Sequence, residues 1–136
     1  MDFLDGDLFW DPMIPSMTNN DRTEIYKNKN KTLAKLHSVD YKKIGLDDYG
    51  KPGNYVARQV SRWSKQYRAS ETDNIEAMNN LIEWLPNNIP DDDETSIVHG
   101  DYRLDNMILK NNKVIGILDW ELSTLGHPIA DFSYHC

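Results

Sequence analysis

Two apolar runs, Met107-Ile108-Leu109-Lys110 and Val114-Ile115-Gly116-Ile117-Leu118, flank the dipeptide Asn111-Asn112. Asparagine tolerates the positive φ that a two-residue hairpin turn demands, so this stretch predicts a tight β-hairpin over 107–118. The segments before it carry helical periodicity instead. The chain therefore reads as α+β, mainly helical, with one hairpin.

The first helix is expected from the Thr18-Asn19-Asn20-Asp21 cluster to about Val39, with Ile25, Leu33 and Leu36 on its apolar stripe. Gly45, Gly50, Pro52 and Gly53 mark 40–53 as a loop. Asn54 is the expected cap of a second helix to about Arg68. Its Val56, Val60, Trp63 and Tyr67 recur at core spacing, and Arg58, Arg62, Lys65 and Arg68 form a solvated face. A third helix is expected from Ser70–Asp73, with Asp73 and Glu76 as a capping box and Ile75, Met78, Leu81, Ile82 and Leu85 as its stripe, ending at Pro86. Residues 1–17, with Asp5-Gly6 and Pro12 and Pro15, read as a short hairpin or a strand and loop. Asn87 to Glu94, including Asp91-Asp92-Asp93-Glu94, is a polar connector, and Ser96-Ile97-Val98-His99 a short extended run.

Composition narrows the function classes. A chain of 136 residues can build one core, and 15 Lys plus Arg against 22 Asp plus Glu give a net charge of −7. That balance argues against a nucleic-acid backbone or an anionic membrane as partner. No apolar run is long enough to span a bilayer, and MDFLDGDLFWD lacks a signal peptide's basic start, so a soluble, cytoplasmic protein is expected. The single Cys136 builds neither a disulfide framework nor a cysteine zinc site. Both ends lie in apolar stretches, which reads as a piece of a longer domain.

The chemistry concentrates in His99-Gly100-Asp101-Tyr102-Arg103-Leu104-Asp105-Asn106, followed past the hairpin by Asp119-Trp120-Glu121. An H-x-D-x-x-x-x-N pattern leading to a later Asp at a strand end has the order of a kinase catalytic loop and its metal-binding acid, with glycine in place of the usual arginine. Phosphoryl transfer needs a carboxylate to orient the attacking hydroxyl and hard oxygen ligands to hold Mg²⁺ on the phosphates. The loop supplies the first and the hairpin returns the second.

On these residues the chain resembles the aminoglycoside phosphotransferase and choline kinase family, which has a protein-kinase-like fold. Leu33-Ala34-Lys35-Leu36-His37-Ser38-Val39-Asp40, Ile44-Gly45-Leu46, Tyr55 to Tyr67 and Leu125-Gly126-His127-Pro128-Ile129-Ala130-Asp131 extend the likeness over most of the chain. It is most similar to the subgroup found alone or fused to acyl-CoA dehydrogenases. The resemblance implies a C-lobe piece without its small N-lobe: 1–17 as hinge and lobe start, 18–86 helical, 95–121 catalytic loop and metal-binding hairpin, 122–136 the start of a further helical part.

It further implies Asp101 as catalytic base, Asn106 and Asp119 as Mg²⁺ ligands on ATP, and Arg103 as a steadying cation for the γ-phosphate. Met1 and Phe3 fall in the hinge, whose backbone receives adenine. Asp131 is expected as a buried acid bonded to the catalytic-loop backbone, and His99 as a structural brace. Asp105 departs from the glycine expected before the asparagine. The implied partners are ATP and a small-molecule hydroxyl substrate, with an acyl-CoA dehydrogenase as a fused or associated domain. The sequence has no G-x-G-x-x-G or G-x-x-x-x-G-K-[ST] motif and no small-lobe lysine and glutamate, so the 136 residues alone are expected to be inactive. Two other readings stand beside this one: a non-catalytic kinase-like binding module, and a metal-dependent hydrolase using His99, Asp101, Asp119 and His127.

Overall fold

The first helix, α1 (Asn19–His37), starts where the threonine cap predicts. Thr18 accepts the backbone N–H of Asp21 (3.2 Å) while its own hydroxyl donates to the Asp21 carboxylate (2.6 Å), a reciprocal cap that also holds the Asp21 carboxyl below its usual range. The computed structural model describes residues 3–91 and 94–135. Met1, Asp2, Asp92, Asp93 and Cys136 lie outside the described residues, and with them the Met1 expectation and half of the acidic run.

Ile25 and Leu33 are buried, Leu36 is half-buried, and the stripe runs through Lys29, which is only 5% exposed. Against this face pack Ile14, Tyr102, Leu104, Met107 and Leu109, forming the core cluster. The hairpin forms as expected: β2 (Met107–Lys110) and β3 (Lys113–Ile117) pair antiparallel around Asn111 and Asn112, whose φ values of 51° and 60° fit the tight turn. A bulge leaves Ile115 without an opposite residue, because Leu109 pairs with Val114 and Ile108 with Gly116. The tip is fastened to α1, where Asn112 donates to Asp21 (2.8 Å) and the Val114 N–H to the Asn28 side chain (2.7 Å).

The amino-terminal stretch corrects the expected hairpin or strand and loop. Asp7 makes a single antiparallel bridge to Leu109 on the free edge of β2, through N–H···O bonds of 2.7 and 2.8 Å. Gly6 serves close approach rather than a turn, since a Cβ there would sit 2.6 Å from the Leu109 carbonyl oxygen. Asp11 then turns the chain by accepting the Met13 N–H (2.8 Å), and the prolines stop further pairing.

The second helix, α2 (Tyr55–Ser70), begins at Asn54, but not by a side-chain cap: Asn54 is left-handed (φ 51°) and makes no capping bond. The third, α3 (Glu76–Trp84), starts later than the Asp73–Glu76 box implies, and its flanking Ile75 caps nothing. The box fails because α2 runs on through Ser70, leaving Thr72 to bond Asp73 locally (3.3 Å). A 3₁₀ turn at Leu85–Asn87 carries Pro86 and closes α3. Neither helix contains a buried residue, and Trp63, expected in the core, is 56% exposed.

The extended run expected at 96–99 is β1 (Ser96–Val98). It pairs antiparallel with β4 (Thr124–Gly126), where only helix was expected after residue 122. Residues 124–126 become a strand because Ile97 and Leu125 face each other and both bury. The helix follows as α4 (Ile129–His135). Among the described residues no helix is long and apolar enough to cross a membrane.

Candidate active site

The loop between β1 and β2 is held from behind by one acid. Asp131, on α4 and 1% exposed, accepts the backbone N–H of His99 and of Gly100, each at 2.8 Å, and a third bond from His37 Nε2 at 3.0 Å. Burial pushes its carboxyl upward, but those three donors outweigh burial and hold it below the ordinary value. The implied buried acid is therefore present. His37 was not singled out as its partner: it lies 94 residues earlier in sequence, at the end of α1, and no local signal joins the two.

His99 is fully buried and braces the loop rather than facing it. Its Nδ1 accepts the Asp101 N–H (3.2 Å), which places the ring hydrogen on Nε2, and Nε2 donates to the Leu118 carbonyl (2.8 Å). Trp120 closes on it edge to face, with ring centroids 4.8 Å apart, and anchors its own indole N–H on Ile117 O (2.9 Å). Gly100 explains why glycine follows the histidine. Its φ is +85°, and a Cβ would lie 2.8 Å from the Leu122 carbonyl oxygen.

Two of the expected site residues bond to each other at the open end of the hairpin, and the third follows its second strand. The Asn106 amide donates to both the Asp101 carboxylate (2.9 Å) and the Asp101 carbonyl (3.0 Å), which leaves the Asn106 amide oxygen unspent by these bonds. The Leu118 N–H donates to Asn106 O (2.8 Å), carrying the antiparallel register past β2 and β3, with Asp119 the next residue. Asp119 is exposed, makes no capping bond, and adopts a left-handed φ of 61°, a conformation that costs a non-glycine residue energy and clusters at functional sites. Two exposed or half-exposed oxygen donors at one strand end suit a hard divalent cation.

Arg103 reaches Asp101 only to 4.0 Å and is instead forked onto Asp105: Nε donates to Oδ1 (2.9 Å), Nη2 to Oδ2. That pairing holds the Asp105 carboxyl below its usual range, more than burial raises it, with Lys29 adding to the effect. Tyr102 fixes the loop from the core side, donating to Lys29 O (2.8 Å), and burial pushes its phenol far upward. Lys29 was overlooked although its place four residues from both Ile25 and Leu33 put it on the apolar stripe. Phe3 is 91% exposed and joins none of these groups. Glu121 is exposed within the turn after Asp119.

A loop, a hairpin and the strand that returns after them belong to a protein-kinase-like fold, and the chain belongs to the phosphotransferase enzyme family, whose model matches residues 1–136. It superposes with a TM-score of 0.96 on a structure from Ralstonia eutropha provisionally described as an aminoglycoside phosphotransferase. The two are 55% identical over all of this chain and 43% of that one. Two more distant structures share the fold: macrolide 2'-phosphotransferase MphH from Brachybacterium faecium (17% identity, TM-score 0.67, 83% of this chain and 38% of that one) and the streptomycin-ATP-APH(2")-IIa ternary complex (21%, 0.64, 96% and 46%).

Among curated proteins the chain is 48% identical to acyl-CoA dehydrogenase family member 10 of Mus musculus, over all of this chain and 13% of that protein. It is 44% identical to the probable acyl-CoA dehydrogenase IBR3 of Arabidopsis thaliana, over all of this chain and 18% of that protein. The chain thus spans less than a fifth of the length of these relatives.

Proposed function

We propose that this chain carries the catalytic segment of an ATP-dependent kinase that phosphorylates a hydroxyl of a small molecule. The observation that supports the reading is the pair of hydrogen bonds from the Asn106 amide to Asp101, with the Leu118–Asn106 closure one residue before Asp119. Asp101 would accept the proton of the attacking hydroxyl. The hydroxyl oxygen forms a bond to the γ-phosphorus as the bond to the β–γ bridging oxygen breaks, releasing ADP. Asn106, through its amide oxygen, and Asp119 would hold Mg²⁺, which when bound neutralises charge on the phosphates. Arg103, 4.0 Å from Asp101, would steady the charge that develops on the γ-phosphate. Residues 1–17 are read as the hinge and the start of the lobe, with the Phe3 backbone on the adenine side.

A metal-dependent hydrolase through His99 is the weaker reading. Both ring nitrogens of His99 are spent on backbone groups, of Asp101 and Leu118, and among the described residues no cluster of three or more His, Cys, Asp or Glu is placed to hold an ion. A non-catalytic module leaves the Asp101–Asn106 arrangement and the left-handed Asp119 without a use.

The test uses the intact protein with MgATP and a panel of hydroxyl compounds, scored by ADP release. The kinship with acyl-CoA dehydrogenases places hydroxyacyl compounds first in that panel. Asp101→Ala and Asp119→Ala are each expected to lower turnover by about 10²–10⁴-fold with the circular-dichroism melt unchanged. Undiminished turnover in either variant overturns the proposal.

A further inference from the structure

We propose that Tyr49 is a positioning residue: through the Ser123 hydroxyl it latches the turn that begins at Asp119, and so aims the carboxylate that would hold the metal. The inference rests on the phosphotransfer reading of Asp119.

Four consecutive residues, Asp119 to Leu122, are exposed, so little apolar burial fixes their backbone. Asp119 enters this stretch in a left-handed conformation (φ 61°), which a non-glycine residue keeps only where its surroundings hold it. The 3₁₀ turn Trp120–Leu122 follows, and Ser123 closes it: its N–H (3.0 Å) and its hydroxyl both donate to Trp120 O. Trp120 is otherwise held by its side chain, with the ring against His99 and the indole N–H on Ile117 O. Gly100 packs against Leu122, but its N–H is spent on Asp131. The backbone of the turn therefore depends on Ser123.

Ser123 is in turn held from a residue 74 positions away. The Tyr49 phenol meets its Oγ in a hydrogen bond, and the direction of that bond follows from counting protons. Ser123 has one hydroxyl hydrogen, committed to Trp120 O, so the phenol donates. The result is a relay from the Tyr49 O–H to Ser123 Oγ, and from the Ser123 O–H to Trp120 O, in which each bond polarises the other. Tyr49 is a firm anchor for it. Its N–H donates to Leu46 O (3.2 Å), and the Leu46 N–H to Tyr41 O (2.9 Å). The next residue, Gly50, lies close against β4, where a Cβ would come within 2.6 Å of the Leu125 nitrogen. Neighbouring residues of one loop thus grip Ser123 and Leu125 together. With Ser123 released, the left-handed step at Asp119 can relax and the carboxylate loses its fixed direction. Tyr49→Phe keeps the ring and removes only the donor.

Fluorine NMR of the intact protein carrying 5-fluorotryptophan tests this, with the Trp120 resonance assigned through Trp120→Phe. Without metal, Tyr49→Phe is expected to shift the Trp120 resonance and to leave those of Trp10, Trp63 and Trp84 in place. An unmoved Trp120 resonance overturns the inference.

The second readout uses MnATP as the probe. The paramagnetic ion broadens the Trp120 resonance when it binds at the neighbouring Asp119, and a titration gives its affinity. Tyr49→Phe is expected to weaken that affinity about tenfold and Ser123→Ala at least as much, while Tyr49→Phe/Ser123→Ala is no weaker than Ser123→Ala, because the phenol acts through the hydroxyl. Wild-type affinity in Tyr49→Phe, or a further loss in the double variant, overturns the inference with the phosphotransfer reading intact. Undiminished broadening in Asp119→Ala overturns the metal role of Asp119 instead, and the metal-free spectra still decide whether the latch holds the turn. Ser123→Cys replaces Ser123→Ala if the alanine variant does not fold, with the same expected order.

Discussion

The part of the molecule around α1 and the hairpin and the part made by α2 and α3 began with the same kind of sequence signal and ended differently. Both carry apolar residues at helical spacing. In the first, Ile25, Leu33, Tyr102, Leu104, Met107 and Leu109 bury together, and Asp131 ties the loop to the helices on either side. In the second, no residue of either helix is buried, and Ile75, Leu81 and Trp84 are exposed. Amphipathic periodicity says which face of a helix is apolar and nothing about whether something lies on it. The proposed catalytic groups all sit in the part whose core is complete. A site that must hold donors to within fractions of an ångström needs a rigid support.

That contrast can be broken by substitution. Asp131→Ala should be the most damaging change, about 3–5 kcal/mol by urea unfolding, because it strands the His99 and Gly100 N–H groups and His37 in the interior. The pH dependence has a definite sign. The folded carboxyl titrates below its unfolded value of about 3.9, so its contribution is complete above that value and is lost as pH falls through the lower folded one. Asp131→Asn should therefore flatten the acid limb of stability below about pH 4, and an unchanged acid limb would show that the carboxylate is not ionised in the fold.

Ile25→Ala should follow, at about 2–5 kcal/mol, from the cavity it opens against Tyr102 and Met107. Gly100→Ala should cost about 1–3 kcal/mol through its positive φ, more if Leu122 cannot yield. Leu81→Ala should cost under about 1 kcal/mol, since the side chain is already 43% exposed. Equal losses for Ile25→Ala and Leu81→Ala in the intact protein would erase the contrast, and would mean that another surface covers α3 there.

The legibility of the sequence divides along the same line. The hairpin was readable because Asn111-Asn112 is a local device with a local geometry, and α1 because Thr18 caps it within one turn. Asn54 and the Asp73–Glu76 box looked equally local and failed, since the chain around them took a left-handed step in one case and a longer α2 in the other. The strand at Thr124–Gly126 was missed because three residues carry too little pattern without their partner at Ser96–Val98. His37 escaped notice because its partner lies on α4, and Lys29 because a lysine on an apolar stripe reads as an interruption until Tyr26 and Tyr102 are seen to enclose it.

By itself the sequence determined the residue types and their order: a loop ending in Asn106, a hairpin, an acid after it, and a glycine where only positive φ fits. Those are consequences of short-range sterics and hydrogen bonding. Only the tertiary structure decided that His99 faces inward, that Arg103 forks onto Asp105 rather than Asp101, and that Asp131 gathers its donors from α1 and the loop between β1 and β2. Each of these is a choice among several partners within reach: for His99 and Asp131 the packing of distant segments sets which partner is nearest, and for Arg103 the conformation of its own loop does.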